Sequence, residues 1–136
     1  MPNANEAKLV RVYSRNFGGV VAEEAIPTNT AFEIVSEAEV GSALFNNGGP
    51  YNLILTVEDL AASTVVYNAN KSGWLHEAAA AADAPPNWSA QTFQFPFQVP
   101  AQPVLNHPYK ARIVMTVGAA DKIVVHRASE VFVIVG

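Results

Sequence analysis

A chain of 136 residues with 50% hydrophobic and only 15% charged residues can bury one core without covalent staples and is not intrinsically disordered. The net charge of −4 and the scatter of eight Lys and Arg from Lys8 to Arg127 leave no basic stripe to displace counterions from phosphate, which argues against nucleic acid. Cysteine is absent, so disulfides, thiolate nucleophiles and zinc–thiolate sites are excluded, and no apolar run reaches the roughly 18–20 residues that span a bilayer.

Met1–Ala7 is polar and reads as a flexible leader to one domain over residues 8–136. No basic and apolar signal sequence opens it, so the expected compartment is the cytoplasm if the chain is complete and is left open if it is an excised domain. From Lys8 the pattern has period two, which predicts a strand with Leu9, Arg11, Tyr13 and Arg15 on one side and Val10, Val12 and Ser14 on the other. Gly18-Gly19 and Pro27-Thr28-Asn29 are breaks, and Phe32–Val40 alternates again with Glu33, Glu37 and Glu39 on its wet side. Asn46-Asn47-Gly48-Gly49-Pro50 predicts a turn, since Asn and Gly accept positive φ and Pro stops a ladder.

Tyr51–Glu58 and Thr64–Val66-Tyr67 predict two further strands. Asn68–Ala90 differs from its surroundings: an alanine run follows Trp74-Leu75-His76-Glu77 and ends at Pro85-Pro86. Alanine favours helix and the proline pair stops it, so a short helix is predicted near Gly73–Asp83 inside a long connection. Thr92–Val99 sets Phe93, Phe95, Phe97 and Val99 on one face, with Pro96 on the other marking an edge strand. Tyr109–Val117 and Lys122–Val135 predict a terminal hairpin, with a bulge at Ala128-Ser129. Seven or eight short strands with one helical insertion give an all-β chain, a two-sheet sandwich with a small barrel as the competing architecture.

The segment Tyr109-Lys110-Ala111-Arg112-Ile113, preceded by Phe93-x-Phe95-x-Phe97 and followed by Val131–Val135, resembles the last strands of the immunoglobulin-like sandwich superfamily. The resemblance implies that Tyr109 caps a backbone corner through its hydroxyl and that Ala111 fills the core slot two residues later. Leu53 and Leu55 stand where antibody domains carry a buried Trp, and the cysteine pair is missing. Since this fold serves many unrelated functions, the resemblance implies architecture and no activity.

Chemical constellations are sparse. His76-Glu77 lacks the second histidine that a zinc-protease helix needs, because position 80 is alanine. No serine sits in a Gly-x-Ser-x-Gly elbow, and Gly48-Gly49-Pro50 lacks the lysine of a phosphate loop. Glu33, Glu37 and Glu39 could serve as acid/base partners or calcium ligands, but their period matches a solvated sheet face. Asn87-Trp88-Ser89 is a glycosylation acceptor only in a secreted chain. No metal or cofactor is expected.

The segment richest in binding potential is Trp74 to Trp88, where two indoles flank a long connection. Trp74, His76 and Trp88 are therefore the candidate binding residues, against the alternative that both indoles cap the domain's own core. The expected function is a non-catalytic interaction module that binds protein or self-associates through an edge strand and this segment. A carbohydrate-binding module using exposed tryptophans is the alternative. A small-ligand barrel or enzyme using Tyr51, Tyr67, Glu77 or His107 ranks last.

Overall fold

The computed structural model describes residues 6–17, 19, 21–28, 30–47, 49–75, 87–88, 92–103, 106–118 and 123–135. Its elements in chain order are β1 (Ala7–Asn16), β2 (Ala25–Pro27), β3 (Phe32–Val40), α1 (Ser42–Asn47), β4 (Gly49–Asp59), β5 (Thr64–Leu75), β6 (Asn87–Trp88), β7 (Thr92–Val99), β8 (Pro108–Val117), β9 (Ile123–Ala128) and β10 (Phe132–Val135). A three-stranded sheet of order β1-β3-β7 packs on a seven-stranded sheet of order β2-β10-β8-β4-β5-β6, in which β9 also pairs with β8. The architecture is a two-sheet sandwich of immunoglobulin-like type, not a barrel. No helix among the described residues is long and apolar enough to cross a membrane.

The core lies between the sheets and follows from alternation. Ile34, Ala38 and Val40 of β3 meet Leu53, Leu55 and Val57 of β4 and Ile113 and Met115 of β8, all buried. Phe95, Phe97 and Val99 share the inner face of β7 as the period predicts. Each such side chain contributes about 1.5–3 kcal/mol on leaving water. Leu53 and Leu55 fill the interior without an indole, and Phe32 meets Phe132 edge-on with ring centroids 5.6 Å apart. The β7 edge position of Pro96 fits its missing N–H, which leaves no ladder donor to lose on the open side.

Four local expectations change. A bulge at Val10 separates the pairs Leu9↔Ala38 and Arg11↔Glu37, so Leu9 turns into the core beside Val12 while Arg11, Tyr13 and Arg15 take the other face, where Tyr13 is nonetheless buried. One extra residue reverses the phase of everything before it. Ala7, assigned to the flexible leader, is buried in β1 opposite Val40. The stretch before Gly49 is helical rather than a simple turn: Phe45 N–H donates to the Gly41 carbonyl at 2.9 Å and its ring is buried. Gly49, at φ 119°, then starts β4 in a conformation that a Cβ would oppose.

The fourth change concerns β5, which runs on to Leu75 instead of yielding to a helix at Gly73. Asn68, Asn70 and Ser72 are its solvent side, and Ala69 and Leu75 pack on the core. The rest of the expected helix lies outside the described residues. At the C-terminus the ladder register steps by one residue between Arg112↔Ala128 and Tyr109↔Phe132, as a bulge at Ser129 requires. There the Ser129 hydroxyl accepts from the Ala111 N–H at 3.0 Å, standing in for a ladder carbonyl.

Candidate functional site

The two solvent faces of the sandwich differ in chemistry. On the small sheet, cross-strand register sets Lys8 opposite Glu39, Arg11 opposite Glu37 and Arg15 opposite Glu33. Their ion pairs measure 3.9, 4.0 and 2.9 Å, and Gln94 of β7 donates to Glu37 at 3.1 Å. The Arg11 guanidinium lies 4.1 Å over the Tyr13 ring. The three glutamates that the sequence offers as acid/base or calcium candidates are thus strung along β3, each beside its own cation. This face neutralises itself.

The outer face of the large sheet is built from four strands. One row reads Asn70, Ile54, Val114, His126 across β5, β4, β8 and β9, and the next reads Ser72, Asn52, Thr116, Val124. Neither row contains an Asp, Glu, Lys or Arg. Charges begin one row further on, where Arg112 stands between Thr56 and Ala128 and approaches Glu58 at 4.0 Å. Ile54, Val114 and Val124 are exposed at 44%, 39% and 62%, large values for β-branched side chains in the middle of a sheet. A shallow cleft of about 100 Å³ opens beside Val114, His126 and Ala128, with Arg112 and Arg127 also in its lining. The Asn52 side-chain oxygen is shielded from solvent and accepts no hydrogen bond among the described residues, a deficit of about 1–3 kcal/mol that a neighbouring hydroxyl donor would relieve.

A second cluster closes one end of the large sheet. Asp59, the last residue of β4, is buried and accepts from the Ala61 and Ala62 N–H groups at 3.0 Å each. Its other oxygen accepts from His107 Nδ1 at 2.8 Å. The His107 hydrogen bond, aided by the two turn amides and the imidazole charge and opposed by burial, holds the Asp59 carboxyl below the ordinary carboxylate value. Ser63 and Asn106, at φ 55° and 56°, flank this pair and are the non-glycine residues of the described chain with positive φ. Burial, and then the Asp59 charge, raises the neighbouring Tyr109 phenol. These contacts tie the β4–β5 turn to the start of β8, a structural latch.

The sequence candidates fall as follows. Backbone pairing sets Trp74 opposite Asn87 and Leu75 opposite Trp88, so the two tryptophans occupy adjoining strands. His76 and Glu77 lie outside the described residues. Tyr109 is buried and stacks on Phe132 at 5.9 Å; among the described residues none accepts a hydrogen bond from its hydroxyl. Ala111 is fully buried. Tyr51 packs in the core against Phe95 at 5.3 Å, with its phenol pushed up to about 12 by burial. Tyr51 and Asp59, the partner of His107, stand eight residues apart on β4, about 26 Å in extended chain. Tyr51 and His107, two of the polar groups proposed for an enclosed cavity, therefore do not converge.

Local patterns missed the neutral face because it is assembled by register from four strands. Its one legible sign is the run of Asn and Ser at alternate positions of β5, which strands disfavour unless the face has another use.

No family model and no curated protein matches this sequence. Among solved structures, the chain is similar to the C-terminal domain of Wzt, with a TM-score of 0.65 at 12% identity, over 98% of this chain and 76% of that one. The likeness concerns the fold.

Proposed function

We propose that this domain is a non-catalytic recognition module that binds neutral carbohydrate on the outer face of its large sheet. The observation that carries this is the pair of adjoining uncharged rows, Asn70-Ile54-Val114-His126 and Ser72-Asn52-Thr116-Val124. Sugar hydroxyls donate and accept at once, and Asn, Ser and Thr side chains do the same. Ile54, Val114 and Val124 give the apolar C–H faces of a sugar ring a surface to cover. A neutral ligand loses little on such a face, whereas a charged one would be desolvated without a counter-charge. Trp74, His76 and Trp88 take a share of the contact in this proposal, indoles being suited to sugar faces that are apolar in the middle and polar at the rim.

A flat, pre-formed face gives modest affinity, with dissociation constants of about 10 µM to 1 mM. Titration with a panel of neutral and anionic oligosaccharides, followed by tryptophan fluorescence and calorimetry, tests it. Neutral glycans bind, and Ile54→Glu weakens binding about tenfold or more while leaving the melting temperature within about 2 °C, as an exposed substitution does. Absence of heat and of fluorescence change across the neutral panel, or full binding by Ile54→Glu, overturns the proposal.

A further inference from the structure

Among the described residues β1 is an edge of the small sheet, and β9 pairs only with β8 of the large one. The two strands come within 8 Å of each other at Cα without pairing. A cleft of about 210 Å³ opens between them, walled on a third side by Ala22, Glu23 and Glu24. It has room for about seven waters, or for a molecule of about as many non-hydrogen atoms.

Backbone groups line this cleft. The Ser14 carbonyl accepts from the Glu23 N–H at 2.7 Å, so the peptide groups of Ser14 point away from β3, and alternation along the strand turns those of Val12 the same way. On β9, Ala128 stands opposite Arg112, while the Ala111 carbonyl accepts from the Ser129 N–H at 2.8 Å. The Ala128 N–H and C=O therefore point away from β8. Neither Val12 nor Ala128 finds a backbone partner on that side among the described residues. The walls are tied in place: the Ser14 hydroxyl also donates to the Glu23 carbonyl, and the Glu24 carbonyl accepts from the Val133 N–H at 2.8 Å. Both signs of charge surround the space, with Arg11 and Arg127 set among Glu23, Glu24 and Glu130. Arg11 keeps its contact with Glu37 and lies over Tyr13, whereas Arg127 forms no ion pair among the described residues.

We propose that this cleft binds a small zwitterion, an α-amino acid of about seven non-hydrogen atoms, with its carboxylate on Arg127 and its ammonium on Glu23. A guanidinium takes a carboxylate through two parallel hydrogen bonds, and Arg127 is free to do so. Glu23 is the acceptor because its backbone is held by Ser14 and its side chain is half-buried. No three carboxylates or imidazoles among the described residues are grouped to hold a metal ion, so these glutamates suit a cation that brings its own N–H donors. The strand-edge groups of Val12 and Ala128 serve the remaining donors and acceptors of the ligand. A singly charged ligand of either sign answers half of this lining and leaves the other half unmatched. A peptide strand is the wrong occupant: threading one between two strands needs about 9.5 Å, more than β1 and β9 leave. Binding here does not rest on carbohydrate recognition.

The test titrates the ¹⁵N-labelled domain with three molecules of one size. They are L-serine, L-glycerate, in which a hydroxyl replaces the ammonium, and L-serinamide, in which a carboxamide replaces the carboxylate. Serine shifts the amides of Val12, Ser14, Glu23 and Ala128 saturably, with a dissociation constant of about 0.1–5 mM. Glycerate and serinamide each bind about tenfold or more weakly. Arg127→Gln weakens serine about tenfold and removes its advantage over serinamide, while Glu23→Gln removes its advantage over glycerate. Both variants keep the melting temperature within about 2 °C. No saturable shift up to about 50 mM serine, equal affinity for serine and either analogue, or unaltered discrimination in the two variants overturns the proposal.

Discussion

Ser36→Ala is expected to stabilise this domain, although it removes a polar atom from a fully buried position. Ser36 lies on the inner face of β3 between Val12 of β1 and Phe95 of β7, with no exposed surface. Its hydroxyl has no hydrogen-bond partner among the described residues. A buried hydroxyl left unsatisfied costs about 1–3 kcal/mol. Removing it forfeits a few dispersion contacts of about 0.1–0.2 kcal/mol each and a small part of the strand preference. The balance is a gain of about 1 kcal/mol. An unfolding entropy of about 2.1 cal/mol/K per residue gives about 0.29 kcal/mol/K for a chain of this length, so the melting temperature rises by about 3–4 °C. Calorimetry and urea unfolding with an unchanged m-value measure it. A loss of about 1 kcal/mol or more would mean that the hydroxyl has a partner in solution and would refute the reasoning.

Phe32→Ala removes a fully buried ring packed edge-on against Phe132 and lowers stability by about 3–5 kcal/mol in urea unfolding, a large part of a domain's usual 5–15 kcal/mol. In acid, Asp59 works in a defined direction: its carboxyl is held below the ordinary value, chiefly by His107. Its contribution is complete above the unfolded value of about 4 and is lost as pH falls through the folded value. Urea midpoints of Asp59→Asn between about pH 2 and 5 therefore change less with pH than those of the parent chain. In alkali, Tyr51 is pushed up to about 12 by burial, so stability falls from about pH 10 to 12 by roughly 2–3 kcal/mol as the unfolded chain ionises first; Tyr51→Phe flattens that limb. On the small sheet, a double-mutant cycle finds about 0.5–1 kcal/mol for Arg15–Glu33, which is close and half-shielded, and about 0.3 kcal/mol or less for the looser, more exposed Lys8–Glu39 pair.

What the sequence made legible was whatever strict alternation carries. Phe95, Phe97 and Val99 on β7, the edge position of Pro96 and the ladder step at Ser129 all follow from period two and the chemistry of single residues. The phase of β1 did not, because the Val10 bulge has no local signature: its neighbours are as β-prone as it is. Asn68 and Asn70 hid the second half of β5, since asparagine is depleted in strands, and the six-residue α1 is too short to show a helical period. The candidate face was the least legible part. Asn52 and Ile54 read as the wet side of one strand, and only the register among β4, β5, β8 and β9 assembles them with Val114, Thr116 and Val124 into an uncharged surface. Asp59 and His107, 48 positions apart in the chain, had no shared local pattern either, although an Asp opening a turn was a readable sign of its capping bonds to Ala61 and Ala62.

Carbohydrate recognition on the neutral face is tested most directly by mapping amide chemical shifts of the ¹⁵N-labelled domain during titration with a neutral oligosaccharide. The account predicts saturable shifts centred on Asn52, Ile54, Asn70, Val114 and Thr116, with the ion-paired face from Lys8 to Arg15 and Glu33 to Glu39 unmoved. Shifts confined to that charged face, or none up to about 10 mM ligand, would contradict it.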